Sequence, residues 1–439
     1  MSIIRASTAE RAQSKAAGGL KRLGIARGDR VGFCVGSSPE LLFAIAGALR
    51  VGIVPVIINP QLMDAEREVI ITDADVATLI STEIELSALF ESGGEELAEY
   101  PLARPMVYTS GTTGKPKGVW TGILSESDAK SLWLEEIDQW SMDEHDVHLV
   151  CSPLHHSAPL RLSISTLLVG GSLVIPGPFK VDRIAAAIDE VRPTTTFCTP
   201  AHLQRLAESG LLGEFSKLRL VLHAGSPCDE KLKRRAISEI GEDKLWEFYG
   251  STEGQFTICS SGEWLERPGT VGMARNGRTL SVNEDHIIWC RCPNYAQWEY
   301  WRDPNRTRDA WKEGSFTVGD IGHLDDDGYL FLSGRRNDLI ISGGVNVYPA
   351  EVEMVFRQCE GVSDIVVFGR EDERWGHRVC VAVVGDVTEE SLRAFAVERL
   401  APFKRPKEYH SVHSIPRSVL DKVIRSRMGI DLGLDSRGQ

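Results

Sequence analysis

The sequence of 439 residues lacks a basic excess and lacks a long uncharged apolar run. Its 49 Lys and Arg stand against 62 Asp and Glu, which gives a formal net charge of −13. Because nucleic-acid binding needs a basic surface that displaces counterions, this balance argues against a nucleic-acid-binding protein. The most apolar window, residues 41–58, contains Arg50, Pro55 and two glycines. It predicts a buried helix followed by a strand and not a membrane span.

Other absences exclude further classes. The nine cysteines contain no C-x-x-C motif, and no second pair accompanies Cys290 and Cys292, so neither a zinc ribbon nor a disulfide framework is expected. Scattered thiols beside apolar neighbours are typical of a reducing compartment, and the N-terminus has no apolar signal-peptide core. We therefore expect a cytoplasmic protein. The absence of a G-x-S-x-G motif leaves a serine hydrolase without support.

The sequence alternates short β-branched strands with amphipathic helices. Strands at 31–35, 54–58, 172–175, 195–198 and 218–223 each precede or follow a helical pattern, as at 39–50 and 181–191. This alternation predicts an α/β fold with helices covering a largely parallel sheet. Short strands and turns over about 271–332 predict a small β-rich subdomain. We expect an N-terminal domain of residues 1–336, a hinge at 337 and a small α+β C-terminal domain of 338–439.

Residues 108–119, YTSGTTGKPKGV, have the composition of a phosphate-binding loop. Glycines let backbone N–H groups turn toward an anion, hydroxyl groups donate hydrogen bonds, and lysines neutralise charge. The segment is not a Walker A motif, which would need glycine in place of Thr109 and Ser or Thr in place of Pro116. A solvated turn is the alternative for the loop taken alone.

Four later segments follow this loop in a recognisable order. They are EFYGSTEG at 247–254, GDIG at 319–322, GRRNDLIISGGVNVYPAEV at 334–352 and PRSVLDKVIR at 416–425. Together with the loop they resemble the motifs of the adenylate-forming superfamily, which includes acyl-CoA synthetases, peptide-synthetase adenylation domains and luciferases. The resemblance covers roughly residues 20–430 and is nearest to the acyl-CoA synthetases of the fatty-acid–CoA ligase kind.

The resemblance implies a role for each matching residue. The β- and γ-phosphates of ATP would be held by Thr109, Ser110, Gly111, Thr112, Thr113, Gly114 and Lys117. The rest of the ATP or AMP site would be formed by Gly225, Ser226, Pro227, Tyr249, Gly250, Ser251, Thr252, Asp320, Arg335 and Lys422. Within it, Tyr249 would stack on adenine, and Asp320 and Arg335 would bind the ribose. Glu253 would bind Mg²⁺.

The residues implied in catalysis are Lys422, Glu253, His156 and Thr109. Lys422 would contact both the acyl carboxylate and the α-phosphate, and His156 would lie beside the acyl pocket. Taken alone, a lysine near a C-terminus is almost always solvated, and adjacent histidines are more often structural. Lys422 lies in a basic segment, residues 399–427, with eight Lys and Arg against two acids. The family usually has glycine before this lysine, where Asp421 stands here.

The second acceptor is expected to be CoA. Gly343 and Gly344 match the loop that lines the pantetheine tunnel in acyl-CoA synthetases, and Asn337 matches the hinge. No Phe-Asp dipeptide, typical of peptide-synthetase domains, occurs, and few residues follow Lys422. The predicted function is therefore an AMP-forming acyl-CoA synthetase that uses ATP, Mg²⁺ and CoA. A stand-alone enzyme that loads a carrier-protein thiol, and a non-catalytic nucleotide-binding relative, remain alternatives.

The motifs do not identify the carboxylic acid substrate. The pocket is expected from residues 154–160, 197–203, 223–226 and 249–255, which show no cluster of fixed positive charge and favour a monocarboxylate with an apolar body. Against the family the chain is short before the phosphate loop. We expect activity with a reduced N-terminal scaffold, which a homodimer contact would offset.

Overall fold

The computed structural model describes residues 3–62, 64–91, 93–109, 116–335, 338–342, 345–372, 376–400, 402, 404–417 and 423–434. The α-helices of these residues are α1 (Ala6–Arg22), α2 (Pro39–Arg50), α3 (Asp64–Ala74), α4 (Glu83–Ala88), α5 (Glu126–Gln139), α6 (Ser157–Leu168), α7 (Val181–Val191), α8 (Pro200–Glu208), α9 (Glu230–Ile240), α10 (Ser261–Glu266), α11 (Pro304–Ala310), α12 (Pro349–Phe356), α13 (Glu389–Arg399) and α14 (Met428–Asp431).

The strands of the same residues are β1 (Ile4–Arg5), β2 (Arg30–Phe33), β3 (Val54–Ile57), β4 (Thr78–Ile80), β5 (Met106–Thr109), β6 (Lys117–Trp120), β7 (Val147–Val150), β8 (Ser172–Val174), β9 (Thr195–Cys198), β10 (Leu220–His223), β11 (Leu245–Gly250), β12 (Gln255–Ser260), β13 (Met273–Ala274), β14 (Thr279–Val282), β15 (Ile288–Arg291), β16 (Glu299–Tyr300), β17 (Trp311–Lys312), β18 (Ser315–Phe316), β19 (Asp320–Leu324), β20 (Leu330–Arg335), β21 (Ile340–Ser342), β22 (Val345–Val347), β23 (Val362–Asp372), β24 (Gly376–Gly385) and β25 (Glu408–Ser411).

The chain divides into two compact units. The first contains residues 1–280, 290–318 and 325–330, and the second contains residues 281–289, 319–324 and 331–439. The predicted domain boundary near residue 337 and the predicted limits of the β-rich subdomain stay predictions.

The larger sheet of the first unit has the order β1-β8-β7-β9-β10-β11-β12-β13. Strands β8, β7, β9, β10 and β11 are parallel, and β1, β12 and β13 are antiparallel additions. The central strands are apolar almost throughout because helices cover both faces, and residues 195–198 and 220–223 are entirely buried. The predicted α/β fold is confirmed.

The second sheet of this unit has the order β16-β6-β5-β3-β2-β4, with β4, β2, β3 and β5 parallel. Helix α2 begins where predicted because the Ser38 side chain caps it by accepting from the Leu41 N–H at 3.1 Å, with Pro39 in the first turn. The apolar window of residues 41–58 folds as predicted into α2 and β3. Among the helices of the described residues, none has the length and apolar character that crossing a membrane requires.

The second unit is built around the sheet β22-β21-β24-β23, with β25 added in parallel to β24. Helices α12 and α13 contribute Val352, Phe356, Leu392 and Ala396 to its apolar core. The combination of helices and strands in this unit agrees with the α+β character expected for the C-terminal part of the chain.

Candidate active site

The candidate site of the first unit lies where adjacent parallel strands end. Strands β7, β9, β10 and β11 are neighbours in the larger sheet, so their carboxyl ends share one edge. The segments that follow them contain His156, Thr199, residues 224–227 and residues 251–254. Ligands of open parallel sheets bind at this edge, because loops that leave neighbouring strands converge there.

Lys117 and Glu253, which two separate motifs predict, form an ion pair. The Lys117 Nζ lies 3.0 Å from the Glu253 Oε1, so a residue of the smaller sheet meets one that follows the larger sheet. Tyr300 completes the contact: Lys117 donates to the Tyr300 hydroxyl at 2.7 Å, and this hydroxyl donates to the Glu253 Oε1 at 2.8 Å. The Lys117 ammonium also lies 4.3 Å from the centre of the Tyr300 ring. Sequence reasoning missed Tyr300, which belongs to no motif.

Glu253 is 3 % exposed and remains ionised. Burial raises its pKa, but the Lys117 charge and the hydrogen bonds from Lys117 and Tyr300 outweigh this effect and hold the pKa below the ordinary value. An ionised carboxylate fits Mg²⁺, which proteins commonly hold by one or two carboxylates together with substrate phosphates. Among the described residues, no group of three or more His, Cys, Asp and Glu is arranged to hold a metal ion.

The turn that carries Glu253 is tightly closed. The Ser251 N–H donates to the Gly254 carbonyl at 2.8 Å. A Cβ atom at Gly250 would lie 2.8 Å from that carbonyl oxygen, so only glycine fits without a shift. Tyr249, just before this turn, packs on Phe256 with 4.9 Å between ring centroids.

His156 is the N-cap residue of α6, and its ring lies 4.5 Å from the ring of His155. Burial and the neighbouring His156 lower the pKa of His155 to about 4, so His155 is neutral at physiological pH. The predicted site residue His156 therefore lies, as the N-cap residue of α6, at the start of the helix that follows β7 of the larger sheet.

A buried polar triad of His223, Lys233 and Glu247 adjoins residues 224–227, which directly follow His223 in the chain. Sequence reasoning also missed this triad. Lys233, 1 % exposed, donates to Glu247 at 2.9 Å and contacts the His223 Nε2. Burial and the Lys233 charge lower the pKa of His223 and keep it neutral. The triad connects the end of β10 and the middle of β11 with α9. Gly225 beyond it has φ of +99°, a conformation that favours glycine.

Comparison with known families matches most of the chain. The family model of AMP-binding enzymes matches residues 7–100 and 105–286, and the model of the AMP-binding enzyme C-terminal domain matches residues 351–422. The chain belongs to the AMP-binding enzyme family. The predicted recognition of the adenylate-forming superfamily is therefore confirmed, and the protein is an enzyme of this family.

Individual relatives of this AMP-binding enzyme agree with the family match. The long-chain-fatty-acid–CoA ligase FadD13 of Mycobacterium tuberculosis is 31 % identical, over 93 % of this chain and 89 % of the relative. The 2-succinylbenzoate–CoA ligase of Bacillus licheniformis is 29 % identical, over 94 % and 92 %.

Solved structures show the same fold. The o-succinylbenzoate CoA synthetase of Bacillus subtilis, in complex with its acyl-adenylate intermediate, has a TM-score of 0.86 at 24 % identity and covers 98 % of this chain and 93 % of its own. ATP-bound MatB of Rhodopseudomonas palustris has a TM-score of 0.84 at 25 % identity, with the same coverage.

Several predicted site residues of this AMP-binding enzyme lie outside the described residues. They are Ser110, Gly111, Thr112, Thr113, Gly114, Asn337, Gly343, Gly344, Asp421 and Lys422. Thr109 ends β5 and pairs with Lys117 of β6, so the two strands bracket the phosphate loop. Asp320 begins β19 and Arg335 ends β20, in the second unit. The roles predicted for all of these residues stay predictions.

A cavity of about 880 Å³, including its open mouth, adjoins the Glu253 turn within the first unit. Its wall contains Ser157 and Leu160 of α6 and residues 251–255, which belong to two of the four predicted pocket segments. Four arginines also line it: Arg104, Arg161, Arg275 and Arg278. The expectation of a pocket without fixed positive charge is therefore wrong for this cavity. All four arginines lie outside the predicted pocket segments, and Arg161 is one residue beyond the first segment.

Proposed function

We propose that this AMP-binding enzyme is an ATP-dependent acyl-CoA synthetase that forms an acyl-adenylate and then an acyl-CoA thioester. The observation that carries the proposal is the contact of Lys117, Tyr300 and Glu253. This contact joins β6, the strand that follows the phosphate loop, to the turn between β11 and β12. The named CoA ligases among the relatives support the same reaction class.

The first half-reaction brings two anions together. A carboxylate oxygen of the acid attacks the α-phosphorus of ATP, the bond to the leaving oxygen breaks, and pyrophosphate departs. The repulsion between the carboxylate and the triphosphate opposes this attack, and fixed cations reduce it. We assign this role to Lys117 at the phosphate loop and to Lys422 at the reacting groups.

Glu253 would hold Mg²⁺ in this step, and the metal would neutralise charge on the phosphate oxygens. Lys117 and Tyr300 both contact the Oε1 of Glu253. We infer that phosphate binding draws Lys117 toward the nucleotide and leaves the Glu253 carboxylate, which is ionised in advance, available to the metal.

In the second half-reaction, the CoA thiolate attacks the acyl carbon of the adenylate and AMP leaves. We propose that the C-terminal domain of residues 338–439 turns about Asn337 between two orientations. One would present Lys422 to ATP and the acid, and the other would present Gly343 and Gly344 to the pantetheine chain. Adjacent glycines suit that role because no Cβ atom narrows the path of the thiol.

Carboxylate-dependent exchange of labelled pyrophosphate into ATP tests the first half-reaction. We expect exchange with at least one member of a panel of acids, and its loss in Glu253→Gln and Lys117→Met. Tyr329→Phe is a matched control because Tyr329 also contacts a glutamate, Glu263 at 3.3 Å, away from the site. No exchange with any acid would contradict adenylation and would favour the non-catalytic alternative.

The acceptor is tested by mass spectrometry after the enzyme, acid and ATP are mixed with either CoA or a holo-carrier protein. We expect an acyl-CoA mass with CoA. An acylated carrier without acyl-CoA would favour the carrier-loading alternative.

All nine cysteines lie within the described residues, and all nine thiols are free there, which supports our proposal of a reducing, cytoplasmic location. The homodimer stays a prediction.

A further inference from the structure

The cavity beside Glu253 contains more positive than negative charge. Three carboxylates line it together with the four arginines: Glu135, Glu136 and Glu253. Because Glu253 is paired with Lys117, two glutamates remain for the four arginines. The charges are close enough to affect one another: burial, followed by repulsion from Arg161 and Arg278, lowers the pKa of Arg104 to about 10.

Three of the four arginines have fixed partners. Arg278 forms a two-point contact with Glu135, at 3.0 and 2.9 Å. Arg275 donates to Glu136 at 3.4 Å and to the Glu135 carbonyl at 3.1 Å. Arg104 donates to the Thr252 and Glu253 carbonyls at 2.9 and 3.4 Å. The hydrogen bonds therefore hold these three arginine side chains in place in the cavity wall.

Arg161 differs from the other three in its terminal nitrogen Nη2, since the Nη2 atoms of Arg104, Arg275 and Arg278 all donate hydrogen bonds. Its Nε lies 3.0 Å from the Glu136 Oε2, but Glu136 also serves Arg275, and the Nη2 of Arg161 is a buried donor without a hydrogen-bond partner among the described residues. Three further buried polar atoms of the cavity lining, the Arg275 Nε, the Ser251 Oγ and the Gln255 Nε2, lack hydrogen-bond partners there as well. Unpaired buried donors are costly, so this group suits a ligand that supplies acceptors.

The spacing along α6 indicates where such an acceptor would sit. His156, which the sequence predicts beside the acyl pocket, is the N-cap residue of this helix, and Arg161 lies five residues further on, a rise of roughly 7.5 Å at 1.5 Å per residue. Leu160 and Ile164 of α6 also line the cavity and supply an apolar wall. The cavity therefore offers a short apolar span that ends at a guanidinium group.

We propose that the acid activated by this enzyme carries a second carboxylate at the far end of a short spacer, and that Arg161 is the residue that selects it. The proposal rests on the proposed function, since it names the substrate class of the same site. A distal carboxylate would accept the Nη2 hydrogen bond of Arg161 and balance part of the excess positive charge. Planar guanidinium groups bind carboxylates through paired hydrogen bonds.

The test compares hexanoate with hexanedioate, which have equal length and differ in the distal carboxylate, in pyrophosphate exchange. We expect the wild-type enzyme to prefer hexanedioate by about tenfold or more in kcat/KM. Arg161→Met should remove this preference mainly by raising the KM for hexanedioate, with the KM for ATP changed less than about twofold. Arg161→Lys should restore part of the preference, because it keeps the charge but not the planar fork.

The control is Arg235→Gln, which removes an arginine paired with Glu239 at 2.6 Å on α9, away from the cavity. Arg161→Met should fold, since Glu136 keeps Arg275 and the Trp140 Nε1 as partners. If Arg161→Met does not fold, the preference of the wild-type enzyme for hexanedioate over hexanoate tests the proposal. Exchange with hexanoate in preference to hexanedioate, or an unchanged ratio in Arg161→Met, overturns the proposal and leaves the proposed function intact. Exchange with no acid overturns both.

Discussion

Tyr300 shows why a motif does not contain the whole site. The hydroxyl of this residue lies between Lys117 and Glu253, at 2.7 and 2.8 Å, yet nothing in the sequence around β16 marks it. Lys117 and Glu253 could be predicted because glycines, hydroxyl groups and charges cluster around them. Tyr300 could not, since antiparallel pairing of β16 with β6 brings it to the site only in the folded chain.

The Tyr300→Phe substitution tests this contact. Because it removes one hydrogen bond to each charged partner and keeps the ring, we expect kcat/KM for MgATP in pyrophosphate exchange to fall about tenfold with the fold preserved. Tyr329→Phe, the matched control, should change it less than about twofold. Equal activity of the two variants would show that the hydroxyl group has no part in nucleotide binding.

Glu136 is the residue on which the charged cavity wall depends. It is 3 % exposed and contacts both Arg161 and Arg275. Although burial raises its pKa, the two arginines lower it below the ordinary value of 4.5. We expect Glu136→Gln to reduce the free energy of unfolding by about 3 kcal/mol at pH 7, because it leaves buried arginines without an anion.

The pH dependence of this loss follows from the sign of the pKa shift. A carboxylate with a lowered pKa stabilises the fold above its unfolded value, and the stabilisation is lost as pH falls through the folded pKa. The difference between wild type and Glu136→Gln in urea unfolding should therefore be constant from pH 7 to pH 5 and shrink below 4.5. Glu83→Gln, at the exposed start of α4, is the control. A difference that grows on acidification would contradict the assignment.

At the scale of elements, the sequence predicts best where local signals are complete. Helices α2 and α7 and strand β9 have the predicted bounds, because the Ser38 cap defines the start of α2 and the apolar pattern defines the other two elements. Strand β10 was expected from residue 218 but begins at Leu220, since a 3₁₀ turn over Leu212–Lys217 precedes it. The arginines of the cavity were not predicted because α6 and two separate loops, one before β5 and one between β13 and β14, bring them together.

The short C-terminal segment is anchored by Arg425. This arginine, three residues after Lys422, contacts Glu353 of α12 at 2.7 Å and Asp338 at 2.9 Å, and Glu353 also accepts from the Val367 N–H at 2.8 Å. The basic segment of residues 399–427 is thus partly balanced by acids of its own unit. We infer that Arg425 positions the segment that carries Lys422.

Arg425→Gln tests this positioning role. We expect pyrophosphate exchange to fall about tenfold, while thioester formation from chemically made acyl-adenylate changes less than about threefold. Arg427→Gln is the matched control, because Arg427 is largely exposed and forms an ion pair with Asp431 of the same short segment, at 3.3 Å. Equal losses in both half-reactions would indicate general damage to the unit and not a role in adenylation.

At the scale of the whole molecule, the proposed rotation about Asn337 would present different surfaces of residues 338–439 in the two half-reactions. Lys422→Ala should lose exchange by about a hundredfold or more and retain thioester formation from supplied acyl-adenylate within about tenfold. Substitution of both Gly343 and Gly344 by alanine should have the opposite pattern. If Lys422→Ala lowers both half-reactions equally, the proposed division between the two orientations is wrong.

The central claim is that the acid attacks the α-phosphorus of ATP. Turnover of a carboxylate labelled with ¹⁸O in both oxygens, in the presence of ATP, Mg²⁺ and CoA, tests it most directly. Attack on the α-phosphorus makes a carboxylate oxygen the bridge of the acyl-adenylate, and thiol attack on the acyl carbon leaves that oxygen on the nucleotide. We predict AMP with one ¹⁸O atom together with unlabelled pyrophosphate. Unlabelled AMP, or ADP with labelled phosphate, would contradict the account.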